Sequence, residues 1–122
     1  MKALSIKQPW ADLIIYGYKL IETRTWKTDY RGELLICSSK SVDREAMDYF
    51  KDLFPKDHKF LTGKALAVVT LKDCIKMIKE HEASALCDLY DGYSCIIENI
   101  KPIEPFDIKG QLGLFEVDYG NI

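Results

Sequence analysis

Proline at position 9 and glycine at position 17 leave room for about two helical turns between them. Pro9 suits the first turn, where its missing N–H leaves nothing unsatisfied, and Gly17 is a natural left-handed stop. Trp10, Leu13 and Ile14 fall at i, i+3 and i+4 on one apolar stripe, so the spacing predicts a helix over Pro9–Tyr16. Ala3–Ile6 reads as a short strand before it, and Lys19–Trp26, rich in β-branched residues, as a strand after it. Asp29-Tyr30-Arg31-Gly32 reads as a turn, and Glu33–Ser38 as a buried third strand. The stretch Ser5–Lys40 thus packs a helix, two strands and an unusual density of polar and aromatic side chains into one short span. The rest of the chain is expected to be arranged around it.

Further along, Ser41-Val42-Asp43 opens a second helix with Ala46, Met47, Phe50 and Phe54 in register, ended by Pro55. Lys56–Thr62 is a polar connection. Gly63 leads into Lys64–Leu71, the clearest strand of the chain. Ile75–Leu89 is read as helical, Tyr93–Ile100 as a strand, Pro102 and Pro105 as bracketing a connection, and Leu114–Val117 as a last strand after Gly110 and Gly113. With no repeat and no linker, the pattern predicts one α+β domain over 1–122. It is expected to be a small mixed β-barrel of about six strands with two or three flanking helices.

The 122 residues are 48% hydrophobic and 30% charged, an ordinary globular balance. Such a chain buries roughly 65% of its unfolded surface and needs neither metal nor disulfide to hold together. Nineteen acids against seventeen bases give a net charge of −2, which argues against tight, nonspecific binding to long nucleic acid. Cys37, Cys74, Cys87 and Cys95 form no CxxC pair, and His58 and His81 are the only histidines, so no metal or other cofactor is expected. Cys37 and Cys95 sit in apolar runs as small core residues. No secretory leader and no membrane span is legible, so a reduced, soluble, cytoplasmic protein is expected. Both histidines lie in polar segments and are expected to be solvated.

Alternate residues of a strand share a face, which puts Glu22, Arg24 and Trp26 on one side, with Glu22 and Arg24 about 7 Å apart. Lys19 lies just ahead of them. Such a triplet is most simply a surface ion pair beside a solvated lysine, worth little. The surrounding residues favour more. Trp10 and Trp26 flank the triplet, Gly32 allows close backbone approach after Arg31, and a hairpin of the second and third strands would bring Lys40 near. A cleft of this composition suits a nucleobase or nucleotide. Aromatics stack on the base, Arg or Lys takes phosphate, and a carboxylate accepts from an exocyclic amine. Lys19, Glu22, Arg24, Trp26 and Gln8 are the expected ligand contacts, with Arg31 and Lys40 as phosphate contacts. Trp10 is better read as core filling, and for Trp26 wall and core are equally balanced.

Several motifs resemble the ASCH (activating signal cointegrator homology) family. They are SIKQPW, the G-x-K-x-x-E-x-R run of Gly17, Lys19, Glu22 and Arg24, and W-x-T-x-x-R-G with Trp26, Thr28, Arg31 and Gly32. Ile108–Phe115 is similar to the ending of its small bacterial and phage members. The resemblance implies a PUA-like β-barrel and a partner that is RNA, a nucleotide or a modified nucleoside. Some small relatives resemble amidohydrolases that deacetylate N4-acetylcytidine with a lysine, a threonine and a glutamate. Lys19 matches that lysine, but Glu22 stands where the threonine would be. Glu98 is the candidate glutamate only if its strand faces the cleft. If the site is catalytic, Lys19 and Glu22 are the expected catalytic residues, Lys19 as base or nucleophile and Glu22 or Glu98 relaying the proton. Arg24 or Arg31 would then stabilise an oxyanion. A charged Lys19 beside Glu22 makes a poor base, which favours a binding module. A protein-interaction domain with a vestigial cleft is the third expectation.

Overall fold

The computed structural model describes residues 1–119; the last three residues of the expected domain lie outside the described residues. The strands are β1 (Lys2–Gln8), β2 (Ile21–Arg24), β3 (Gly32–Val42), β4 (Lys64–Lys76), β5 (Tyr93–Asp107) and β6 (Leu114–Glu116). The helices are α1 (Trp10–Ile15), α2 (Arg44–Tyr49) and the single turn α3 (Glu82–Ala85), with short 3-10 turns at Lys51–Leu53 and Lys79–His81. The strands form one sheet in the order β2-β5-β4-β3-β1-β6, parallel only between β1 and β3.

Two buried clusters explain why the sheet coils. Leu34 and Ile36 of β3 join Leu4 and Ile6 of β1, Leu71 and Cys74 of β4, and Ala11 and Ile14 of α1. The alternate β3 residues, Leu35 and Cys37, join Ala3, Ala65 and Phe115. This is the period-2 division expected of a strand buried on both faces. Between β4 and β5 the register shifts at three places, and bulges of this kind bend a sheet. Asp43 caps α2, its side chain accepting from Ala46 N at 3.1 Å, as the Ser41-Val42-Asp43 segment predicts. Gly17, with φ of +83°, ends the chain's path out of α1.

Several expectations are corrected. The sheet does not close into a barrel. β6 spans three residues and covers β1 only as far as Leu4, while β2 pairs with β5 alone. An open seam therefore separates β2 from the second half of β1. The expected hairpin of the second and third strands does not form, because β5 and β4 intervene between them. The expected helix over Ile75–Leu89 is mostly absent. β4 runs on to Lys76, pairing Cys74 with Cys95, and only a 3-10 turn and α3 follow before Leu86 turns left-handed. Pro102 and Pro105 lie inside β5 rather than around a connection. The β2 ladder stops at Ile96, so beyond it β5 has a free edge, where a missing N–H costs nothing.

Candidate functional site

The seam is a cleft of about 500 Å³ lined by Ser5, Lys7, Trp10, Glu22, Thr23, Arg24, Trp26, Ser39, Ser41, Tyr90 and Leu112, among others. β2 supplies its charged wall. Glu22 stands opposite Cys95 and Arg24 opposite Tyr93 in the β2–β5 ladder, so the carboxylate shares a face with buried Cys95 and the guanidinium with half-buried Tyr93. Ile21, of the other parity, packs instead with Met77 and Ala85 beneath α3. Glu22 is 7% exposed and Lys19 only 2%.

The three side chains form one network. Arg24 reaches Glu22 Oε2 through both Nε, at 3.1 Å, and NH2, at 3.0 Å. Its NH2 also donates to the Ser5 carbonyl of β1 at 3.1 Å. This bond crosses the seam where no backbone ladder runs. On the other side, Lys19 Nζ lies 3.6 Å from Glu22 Oε1, donates to the Ala85 carbonyl and sits 4.9 Å from the centroid of the Trp10 ring. Burial pushes the Lys19 ammonium below its ordinary lysine value, and the Glu22 carboxylate opposes that shift. The network therefore carries two cations against one anion in a largely desolvated wall. A small side cavity of about 150 Å³ opens beside it, lined by Trp10, Lys19, Glu22, Thr23 and Cys87.

Trp26 and Leu112 extend the cleft toward the loop before β6, together with Gln111 and Gly113. Trp10 does both things the sequence weighed. It packs edge-on to Phe50 at 5.3 Å and donates through Nε1 to Asp43 at 2.9 Å, yet its ring also lines the cleft. That bond is the first cause holding the Asp43 carboxyl below its usual range.

Other expected site residues lie elsewhere. Gln8 is fully buried, donating to Asp12 Oδ1 at 2.9 Å and the Leu61 carbonyl at 2.8 Å. Arg31 binds Asp73 at 3.0 Å and the carbonyls of Thr28 and Tyr30. Lys40 packs beside Gly63, whereas its neighbours Ser39 and Ser41 line the cleft. Glu98 faces Lys72 across a 3.9 Å ion pair and is not among the cleft residues. His58 is not solvated: its Nε2 lies 2.7 Å from Asp12 Oδ2, and its ring packs against Tyr16, Phe54 and Phe60. His81 is held by Ser94 Oγ at 2.8 Å. Burial raises the thiols of Cys37 and Cys95 to about 12, which leaves them inert. Among the described residues, no group of three or more His, Cys, Asp or Glu could hold a metal ion, and no helix is long and apolar enough to cross a membrane. Sequence reasoning missed Ser5, Lys7, Thr23, Ser39, Ser41, Tyr90 and Leu112 as cleft residues. Thr23 alone had a local signal, its place between Glu22 and Arg24.

A coiled, six-stranded α+β sheet with α1 packed against its inner face and a charged seam beside that helix is a PUA-like fold. Two crystal structures share it: the ASCH protein of Zymomonas mobilis, with a TM-score of 0.68, and a point mutant of that protein, at 0.67. Both superpose on 97% of this chain and on 87% and 90% of their own, at 10% identity, so they establish the fold alone. The ASCH domain pattern matches residues 4–109, and the chain belongs to the ASCH domain family. Activating signal cointegrator 1 of Homo sapiens and of Mus musculus are 32% and 31% identical to it over 94% of its length. The chain spans 22% of the length of those relatives.

Proposed function

We propose that the seam cleft binds one base and the adjoining phosphate of an RNA strand, nucleotide or modified nucleoside. The observation that carries this reading is the Lys19–Glu22–Arg24 network, nearly buried beside Trp26 in the mouth of an open cleft. Surface ion pairs add little stability, and buried ones are costly to maintain, so a charged wall facing a cavity is better suited to a ligand than to the fold. Trp26 offers a stacking surface, and Glu22 an acceptor for an exocyclic amine. Arg24 and Lys7 offer charge to a phosphate, and the Ser39 and Ser41 hydroxyls line the same cleft. Membership of the ASCH family supports an RNA-type partner.

A second reading has its own observation. Lys19, Thr23 and Glu22 line one small cavity, the residue types that the deacetylating relatives use, with the threonine one place further along. Burial lowers the Lys19 ammonium in the sense that a base requires. Its bonds to Ala85 and Glu22 hold it as a cation, which favours binding over turnover.

Titration with a panel of nucleosides, nucleotides and short RNA at low salt tests both readings. Binding is expected to fall at least tenfold in Arg24→Ala and in Lys19→Met. Affinity should decline with salt at a slope of about −0.7, that of one phosphate on a single strand. With N4-acetylcytidine in the panel, release of cytidine that vanishes in Lys19→Met would make the cleft catalytic. A panel in which nothing binds and nothing turns over sinks both readings.

A further inference from the structure

Leu112 is 100% exposed, while every other large exposed hydrophobic among the described residues, Tyr49 at 79% included, keeps part of its surface covered. A side chain with no burial contributes nothing to folding through the hydrophobic effect. Single exposed apolar residues are common and need no explanation by themselves. This one stands where an explanation is due. It lines the seam cleft in company with Trp26 and Arg24, at the cleft's outer mouth.

Its loop is also held in place. A Cβ on Gly110 would come within 2.6 Å of Ser5 Oγ and 3.1 Å of its Cβ, so the loop lies tightly against β1 and a side chain there would have to displace the Ser5 hydroxyl. Ser5 is the same residue whose carbonyl accepts from Arg24. Ile108 N bonds to the Gly63 carbonyl before the loop, and Gly113 turns with φ of +66° after it, where β6 begins. The tip that carries Leu112 is thereby held against β1 on one side of the seam and against Gly63 ahead of β4, with its apolar side chain projecting into solvent.

We propose that Leu112 is a wedge that fills the gap left when a base is drawn from its stack into the seam cleft. The preferred ligand is then a nucleotide within a stacked strand, not a free nucleoside. The inference rests on the cleft being a base-binding site, as proposed above. Taking one base out of a stack costs a few kcal/mol, and apolar wedges such as leucine that enter the vacated step offset part of that cost. The charges agree with this arrangement. Among its lining residues the cleft offers only Lys7 and Arg24 to phosphate, and the whole chain is mildly acidic. Contact with the neighbouring bases, more than with a run of phosphates, would distinguish a strand from a nucleoside.

The experiment compares 2-aminopurine riboside with a short RNA carrying 2-aminopurine at an internal position, whose fluorescence rises as the base unstacks. The wild-type protein should prefer the strand and brighten it on binding. In Leu112→Ser the preference for strand over nucleoside should fall about tenfold, the effect of losing one stacking contact, and the brightening should diminish. Leu112→Phe should retain both. Equal affinity for strand and nucleoside in the wild type, or a preference that Leu112→Ser leaves intact, overturns the wedge and leaves the cleft standing. Binding of neither probe removes the cleft reading, and the wedge with it.

Discussion

Buried charge lies on both sides of α1, and the two sides differ in how far that charge is used up. On one side Gln8, Asp12 and His58 close a circuit. Gln8 Oε1 accepts from Asp12 N at 3.0 Å, its Nε2 donates to Asp12 and Leu61, and Asp12 meets His58 inside a box of aromatic rings. Two of these bonds, to the Leu61 carbonyl and to His58, hold the 54–61 segment against the helix. On the other side Lys19, Glu22 and Arg24 are just as close together, but their network borders an open cleft. A closed circuit of hydrogen bonds is what a fold requires of buried polar groups. An open one beside aromatic walls is what a ligand site requires. Burial alone does not separate the two cases; the destination of the remaining lone pairs and protons does.

Three substitutions test that contrast. The largest expected effect is Gln8→Ala, which removes a fully buried side chain and leaves Asp12 N and the Leu61 carbonyl without their partners. It should destabilise the protein by about 4 kcal/mol in chemical denaturation, while the molecules that remain folded bind ligand as before. A loss of affinity equal to that of Arg24→Ala would erase the distinction between the two sides. Glu22→Ala should damage both properties at once. It strands the nearly buried Lys19 cation and frees Arg24, costing about 3 kcal/mol together with ligand affinity. An unchanged unfolding midpoint would show that the network is only superficially buried. The smallest effect is the pH dependence of Lys19. Burial holds its folded value below the 10.5 of an ordinary lysine, so between the two values the unfolded chain holds the extra proton. Stability should therefore rise as pH climbs through that window. Measured at pH 7 and near pH 10, the wild type should gain stability relative to Lys19→Met; the opposite sign would mean that Glu22, not burial, governs the lysine.

What could be read from the sequence was what depends on neighbours along the chain. Pro9 and Gly17 bracket α1, Asp43 caps α2, and the alternation of Glu22 and Arg24 puts them on one face, as β2 pairing with β5 bears out. What could not be read depends on which strand lies beside which. Consecutive strands invite a hairpin, yet β2 crosses to β5, so Lys40 and Arg31 do not join the cleft lining while Tyr90 and Leu112 do. His58 looked solvated because its own segment is polar. The rings around it come from Tyr16, Phe54 and Phe60, brought together only when the 54–61 segment folds against α1. The barrel remains open because β6 is three residues long, a length that no composition or periodicity discloses.

The Arg24–Ser5 hydrogen bond also says when the site comes into being. Its two residues belong to strands that share no ladder, and β1 itself waits for β3, about thirty positions on, and for β6, near the chain's far end. Pairings of such long range form late, since loop closure must precede the contacts that reward it. The cleft therefore requires both pairings of β1 to be in place. A ligand seated across the seam would slow hydrogen exchange throughout the sheet, not only at the residues it touches.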